Sequence, residues 1–258
     1  MKSLTRIAAS AEQARLRLPA SAEQAVRLEG RTVQRDELRA DQIAVMFDLL
    51  GTFFAGVTRP TFERDLSEKS HAILLEDQDG CLRGFSTLLV YKTAALDTDA
   101  TIVYSGDTIV HRDWWGSPAL PVTWLRAVRA LTPSASPVYW LLLTSGFRTY
   151  RFLSVFWREF YPRYDAEGVR PALVDALARE RFGDRYDPSR GIVRFDRPQV
   201  LVPELLDVSS GRTSDPHIAF FLERNPGYTC GDELVCVTDL GDHNLTAAGR
   251  RIARQIRD

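Results

Sequence analysis

The chain has 258 residues, 45% hydrophobic and 26% charged, with a formal net charge of −1. That composition describes an ordinary globular protein with a sizeable core in one large or two small domains, and it gives no reason to expect nucleic acid or another polyanion as its main partner. Cys81, Cys230 and Cys236 are too few for a disulfide framework and lack zinc-knuckle spacing, and the four histidines stand far apart, so buried free thiols and no metal site are expected.

The N-terminus lacks an apolar run of signal-peptide type and no stretch is long enough to cross a bilayer, which sets a cytoplasmic location as the expectation. Ser-Ala-Glu-Gln-Ala occurs at 10–14 and again at 21–25. Both copies fit a helix start, and two short helical turns or a loose arm account for them equally well. From Asp36 to Lys69 the pattern is helical: Ile43, Met46, Phe47 and Leu50 share a face, Gly51 to Pro60 break it, and a second helix runs from Thr61 to Leu66.

Two apolar runs joined by a turn at Asp79-Gly80 make a β-hairpin of His71 to Tyr91. A strand from Ile102 to Val110 follows, then a polar turn from His111 to Gly116, then a helix with Val122, Leu125, Val128 and Leu131 as its apolar stripe. Such a strand-turn-helix aims unpaired N–H groups and a helix dipole at one spot, which suits an anion. Next come an apolar strand from Val138 and an aromatic amphipathic helix ending near Arg163. Farther on lie a helix from Pro171 to Phe182, a strand pair or long strand within Gly191 to Val202, and a helix from Asp215-Pro216 to Arg224 stopped by Asn225-Pro226-Gly227. A strand from Glu233 to Val237 and a basic helix from Leu245 to Ile256 close the chain. Asn225, Asp232 and Glu233, placed around tight turns, read as structural residues.

Within the strand before the polar turn, Gly106-Asp107 interrupts an apolar run. A lone Asp is costly to bury unless paired or working, and the Gly beside it signals a bulge or a close backbone approach. Asp107 is therefore either a proton acceptor or a structural carboxylate bonded to turn amides.

The order hairpin, strand, helix, strand, helix, with the Asp77-x-x-Gly80 turn, the Gly84-Phe85 pair and the turn at Gly116, resembles the GNAT superfamily of N-acyltransferases over residues 36 to 165. The resemblance implies transfer of an acyl group from a thioester donor, acyl-CoA or acyl-phosphopantetheine on an acyl carrier protein, to a small-molecule or peptide amine. The family's phosphate signature, Gln/Arg-x-x-Gly-x-Gly/Ala, falls on Asp113 to Pro118, where only Gly116 is kept. Asp113 would repel a pyrophosphate, and Pro118 and Pro121 each remove a backbone donor.

On this resemblance Asp107, three residues before Val110, takes the position of the acid that deprotonates the acceptor amine. His111 is a second candidate base, or a solvent-facing strand end. Backbone amides near Ile109 and Val110, where the family's strands splay, would polarise the thioester carbonyl. The family's tyrosine acid aligns with Val155 or Phe156, which leaves Tyr150 and Tyr161 either as substitutes or as core-packing residues. Ile109, Val110, Arg112, Trp115, Gly116, Ser117 and Ala119 would hold the donor. Arg148 and Arg151, with Arg158 and Arg163 nearby, form either a solvated face or a docking site for phosphates or an acidic carrier protein. Phe53, Phe54 and Phe62 line an acceptor site or belong to the core.

The expected fold is α/β, a mixed, mainly antiparallel central sheet flanked by helices. Its parts are an arm over 1–35, a GNAT-like core over 36–165 and an α+β C-terminal extension over 166–258. Acyl transfer is the leading function; a GNAT-shaped protein that binds acyl thioesters without turnover is the alternative.

Overall fold

The computed structural model describes residues 27–133, 135–166, 172–208 and 213–256; the near-repeats at 10–14 and 21–25 lie outside them. In chain order the elements are β1 (Glu29–Gln34), α1 (Ala40–Gly51), β2 (Phe54–Ala55), α2 (Arg59–Ser67), β3 (His71–Glu76), β4 (Leu82–Lys92), β5 (Thr101–Val110), α3 (Ala119–Leu131), β6 (Val138–Thr144) and α4 (Phe147–Phe156). There follow β7 (Phe160–Tyr161), α5 (Ala172–Phe182), β8 (Tyr186–Asp187), β9 (Ile192–Val193), β10 (Val200–Leu201), α6 (Pro203–Leu206), α7 (Pro216–Arg224), β11 (Glu233–Asp239) and α8 (Ala247–Arg254).

The β3–β4 hairpin closes because Asp77 organises its own turn. The carboxylate accepts from the N–H groups of Asp79 and Cys81, Gly80 adopts a φ of 74°, and Arg83 donates to the second carboxylate oxygen at 2.6 Å. The main sheet runs β1-β3-β4-β5-β6-β11-β9-β8, with β7 also on β11. Every pairing is antiparallel except β5 with β6, whose ends are joined through α3 as a parallel pair requires. The fold is thus a mixed, mainly antiparallel sheet with helices on both faces.

One face carries Ile73, Leu75, Leu88, Val103, Trp140 and Leu142 against α3, α4, α7 and α8. The other face holds two separate apolar clusters. Met46, Leu50, Phe62 and Leu66 cover Ala72, Leu74, Phe85 and Ile109, while Val174, Leu177 and Phe182 cover Ile102, Tyr104, Leu141 and Val235. The alternation of apolar side chains along β3 and β5 serves both faces, which is why those strands read as continuous apolar runs.

Three features depart from the sequence expectations. Residues 29–34, expected in an arm or short helices, form strand β1 paired along β3, although the segment is too polar to announce a strand. Residues 233–239 enter the sheet between β6 and β7, so α5 through α7 are inserted ahead of a core strand. Cys81 and Cys230 are exposed and only Cys236 is buried, because the first two sit at turns. Phe53 and Phe62 are core residues and Phe54 is half-buried. Among the described residues, no helix is long and apolar enough to cross a membrane, and no cluster of ligating side chains suits a metal ion.

Candidate functional site

β5 and β6 pair only from Thr101↔Val138 to Ser105↔Leu142 and then separate. At that point Ser105, buried between the strands, accepts hydrogen bonds from two indoles, Trp124 Nε1 at 3.2 Å and Trp140 Nε1 at 2.9 Å. The next residues, Gly106 and Asp107, lie in a register shift against β4 between Ser86 and Leu88. The bulge expected from the Gly-Asp pair is there, and it bends the end of β5 away from β6. Gly106 has a steric reason to lack a side chain: a Cβ would sit 2.5 Å from Lys69 Cε and 2.5 Å from Thr87 Oγ1.

Past the bulge β5 remains bonded to β4 alone. The His111 N–H donates to Arg83 O at 2.8 Å, so strand alternation turns the N–H and C=O of Val110 to the opposite edge, into the gap. The Val110 carbonyl there accepts from Trp115 Nε1 at 2.8 Å, and its N–H faces the gap beside it.

The gap is polar on one side of the sheet, between the two apolar clusters. Lys69, its side chain fully buried, donates to Asp65 Oδ2 at 2.6 Å and to Asp65 O at 3.0 Å, and its ammonium lies 5.5 Å from the centre of the Tyr104 ring. The Arg181 guanidinium stands 5.0 Å from the same ring and donates to Glu68 at 2.6 Å. Half-buried Asp107 shares this space. Burial and the Asp65 carboxylate push its carboxyl up to about 7, against the pull of Lys69.

Glu233, read from sequence as a turn residue, opens β11 on the same face and accepts from Ser145 Oγ at 3.0 Å. Burial raises its carboxyl to about 7, against the Ser145 hydrogen bond, with Asp107 and Asp65 adding repulsion. Asn225 and Asp232 are structural as expected: Asn225 Nδ2 donates to Asp232 O at 2.9 Å, and buried Asp232 pairs with Arg190 and Arg194. Lys69, Ser145 and Glu233 are the gap residues that sequence reasoning missed.

The remaining expected site residues divide. Ile109 is buried in the cluster under α1 and α2, and Trp115 is exposed, with Phe53 and the Arg148 guanidinium around its ring. Arg112 lies over Phe53. His111 sits at the strand end, its Nδ1 accepting from Asp113 N–H, 3.5 Å from the Asp113 carboxylate. Tyr150 is fully buried on the opposite face and donates to Pro162 O at 2.8 Å; burial raises its hydroxyl well above the ordinary range. Tyr161 pairs with Val237, four residues along β11 from Glu233 and so about 13 Å away. Neither tyrosine lies at the gap.

The start of α3 is not an open anion cradle. Ser117 N–H donates to Trp114 O, Ala119 N–H donates to Ser117 Oγ, and Pro118 and Pro121 have no N–H. A Cβ on Gly116 would meet nothing within 4 Å, so that glycine makes no close approach. Arg151 is taken by Asp215 at 2.6 Å, tying α4 to the N-cap of α7, and Arg148 donates to Leu205 O at 2.7 Å.

A strap from the inserted segment adjoins the gap. β10 pairs with β2, Val202 N–H donates to Phe53 O, and Leu201 lies against Gly146, where β6 gives way to α4. Leu201 and Leu205 join the apolar cluster that holds Ile109.

No protein-family model matches the sequence, and no curated protein matches it. Solved structures similar to the chain include a GNAT family N-acetyltransferase (YhbS) from Escherichia coli in complex with CoA, 15% identical, covering 57% of this chain and 77% of that one with a TM-score of 0.40. A probable N-acyltransferase from Enterococcus faecalis is 15% identical with a TM-score of 0.37; the match covers 52% of this chain but only 33% of that one. An acetyltransferase from Trypanosoma brucei is 14% identical, the match covering 55% of this chain and 97% of that one with a TM-score of 0.37.

Proposed function

We propose that the chain is a divergent GNAT-type enzyme that moves an acyl group from a thioester donor to an amine. The observation that carries the reading is the gap between β5 and β6, where a carboxyl at Asp107 and the Val110 N–H stand on one strand end three residues apart. An ammonium ion has no lone pair, so a proton acceptor must act before the nitrogen attacks, and positioned proton transfer contributes about 10²–10⁴ in rate. Asp107 is that acceptor. The Val110 N–H takes the oxygen of the thioester carbonyl as it gains charge, a donor aligned by the strand before the reaction starts. The C–N bond forms, the C–S bond breaks, and the leaving thiolate takes the second proton from nitrogen.

Donor binding relies on the gap more than on the α3 terminus, whose N–H groups are largely bonded internally. An acyl-phosphopantetheine arm, on CoA or on an acyl carrier protein, suits such a site, because its recognition does not depend on a pyrophosphate cradle.

Thermal-shift titration with acetyl-, octanoyl- and palmitoyl-CoA tests the donor. A ligand present at 100 times its Kd stabilises the folded state by about 2.7 kcal/mol. Transfer is read by mass spectrometry of an amine panel. Product formed by the wild type and reduced at least about 100-fold in Asp107→Asn supports the reading; equal product from both proteins refutes the role of Asp107. Binding without product favours a thioester-binding protein.

A further inference from the structure

Glu233 belongs to the last core strand, yet its side chain points to the place where β5 and β6 part. The register fixes this. Leu234 stands opposite Thr144, which puts Glu233 level with Ser145, just beyond the end of β6 and across the gap from the bulge. Val235 and Val237 lie on the face covered by α5, and Glu233 shares that face by alternation. Its carboxylate accepts from Ser145 Oγ at 3.0 Å. A half-buried glutamate on the same face and at the same gap as a second half-buried carboxyl, with the Ser145 hydroxyl bonded to it, has no evident structural task.

We infer that Glu233 and Asp107 form a working carboxyl pair, which holds one proton between them at neutral pH and together receives the proton of an acceptor that arrives as an ammonium ion. The charges around the pair are accounted for element by element. From α2, Asp65 and the lysine that follows the helix, Lys69, neutralise each other; from α5, Arg181 is engaged by Glu68; from β5, Tyr104 contributes a ring lying near both cations. Asp107 feels the Lys69 ammonium, but the Asp65 carboxylate bonded to that ammonium opposes it more strongly, so neither carboxyl of the pair gains a net cationic partner. Like charges confined in a half-buried site cannot both ionise freely, so one proton is retained and the pair carries a single negative charge. That charge suits a cationic amine. On transfer the pair takes a second proton, releases it to solvent after the amide forms, and returns to its resting state, while the other nitrogen proton leaves with the thiol.

The placement of the two carboxyls on one face at one gap stands on the strand register, whereas their use in proton uptake rests on the acyl-transfer reading. The test separates the two. Side-chain carboxyl carbons of uniformly ¹³C-labelled protein are followed by NMR from pH 4 to 9 in the wild type, Glu233→Gln and Asp107→Asn. Removing the Glu233 charge lowers the Asp107 midpoint by about one unit or more if the two share a proton. An Asp107 curve that superimposes on the wild type overturns the pairing. Ser145→Ala gives the same information without touching either carboxyl: loss of the hydrogen bond raises the Glu233 midpoint and lowers that of Asp107, and no movement of Asp107 again overturns the proposal. With an amine that the wild type acylates, Glu233→Gln shifts the acid limb of kcat/KM to lower pH; an unmoved limb refutes the role in proton uptake. Coupled titration without transfer to any amine leaves the pair standing and removes the acyl-transfer reading.

Discussion

Replacing Ser105 by alanine tests whether the parting of β5 and β6 is held by the hydroxyl at its apex. Ser105 is 3% exposed, and its oxygen accepts from Trp124 Nε1 and Trp140 Nε1. The indoles are 5% exposed each, with ring centroids 4.4 Å apart and the Trp157 ring against both. In Ser105→Ala both N–H groups lose their acceptor with little access to water. A buried donor left unsatisfied costs about 1–3 kcal/mol, so the pair sets an expected loss of about 2–6 kcal/mol, with relaxation favouring the lower half. That is a large part of the stability of an ordinary domain, about 5–15 kcal/mol. Urea unfolding followed by tryptophan fluorescence and far-ultraviolet circular dichroism measures the change, with the slope checked for constancy. The same substitution in a Trp124→Phe, Trp140→Phe background removes no partner and costs much less. A loss below about 1 kcal/mol in the wild-type background, or equal losses in both, refutes the hydroxyl as the pin.

Gly106→Ala places a methyl group 2.5 Å from Lys69 Cε and from Thr87 Oγ1, so a loss of about 1–3 kcal/mol is expected together with lower activity; a variant as stable as the wild type shows that the bulge relaxes freely. Asp107, raised to about 7 by burial and Asp65, holds its proton in the folded state after the unfolded chain has released it near pH 4. Its contribution to stability is therefore full below about pH 4 and is lost as the pH rises toward 7. The melting temperature of Asp107→Asn accordingly gains on that of the wild type between pH 4 and 8, and a constant difference across that range contradicts the assignment. Arg151→Ala breaks a largely exposed ion pair with Asp215 and should cost no more than about 1 kcal/mol, with donor affinity unchanged in the thermal-shift titration; weaker donor binding restores Arg151 to the site.

The elements that sequence reasoning placed well are those with local causes. The Asp77 turn, the Asp215 cap of α7, and the apolar runs of β5 and β6 all carry their reasons within a few residues. The Gly-Asp bulge was readable for the same cause, since neither residue fits an unbroken buried strand. β1 was not, because its pattern is mostly polar and its place comes from pairing with β3. The α3 start looked like an anion site because amides at a helix terminus are open by default. Two hydrogen bonds and two prolines close it, and of these only the prolines are visible in the sequence.

Glu233 shows why the site itself was only half readable. Asp107 declares itself by standing alone in an apolar strand, where any carboxylate demands an explanation. Glu233 stands beside Asp232 after a turn, and there a carboxylate is ordinary. Its neighbour is indeed structural, bound by two arginines, and nothing local distinguishes the two acids. What separates them is the alternation of β11. Once Leu234 is paired with Thr144, Asp232 falls outside the ladder and Glu233 falls on the face toward Ser145 and the gap. A shift of one residue in that pairing would exchange the two faces of β11 and turn Glu233 toward the apolar cluster on the opposite face of the sheet. The apolar residues of β11, Leu234 and Cys236 on one face and Val235 and Val237 on the other, fill clusters on both sides of the sheet, so the cost of slipping lies in the glutamate itself. The same charge that suits the gap also helps hold the register that delivers it there.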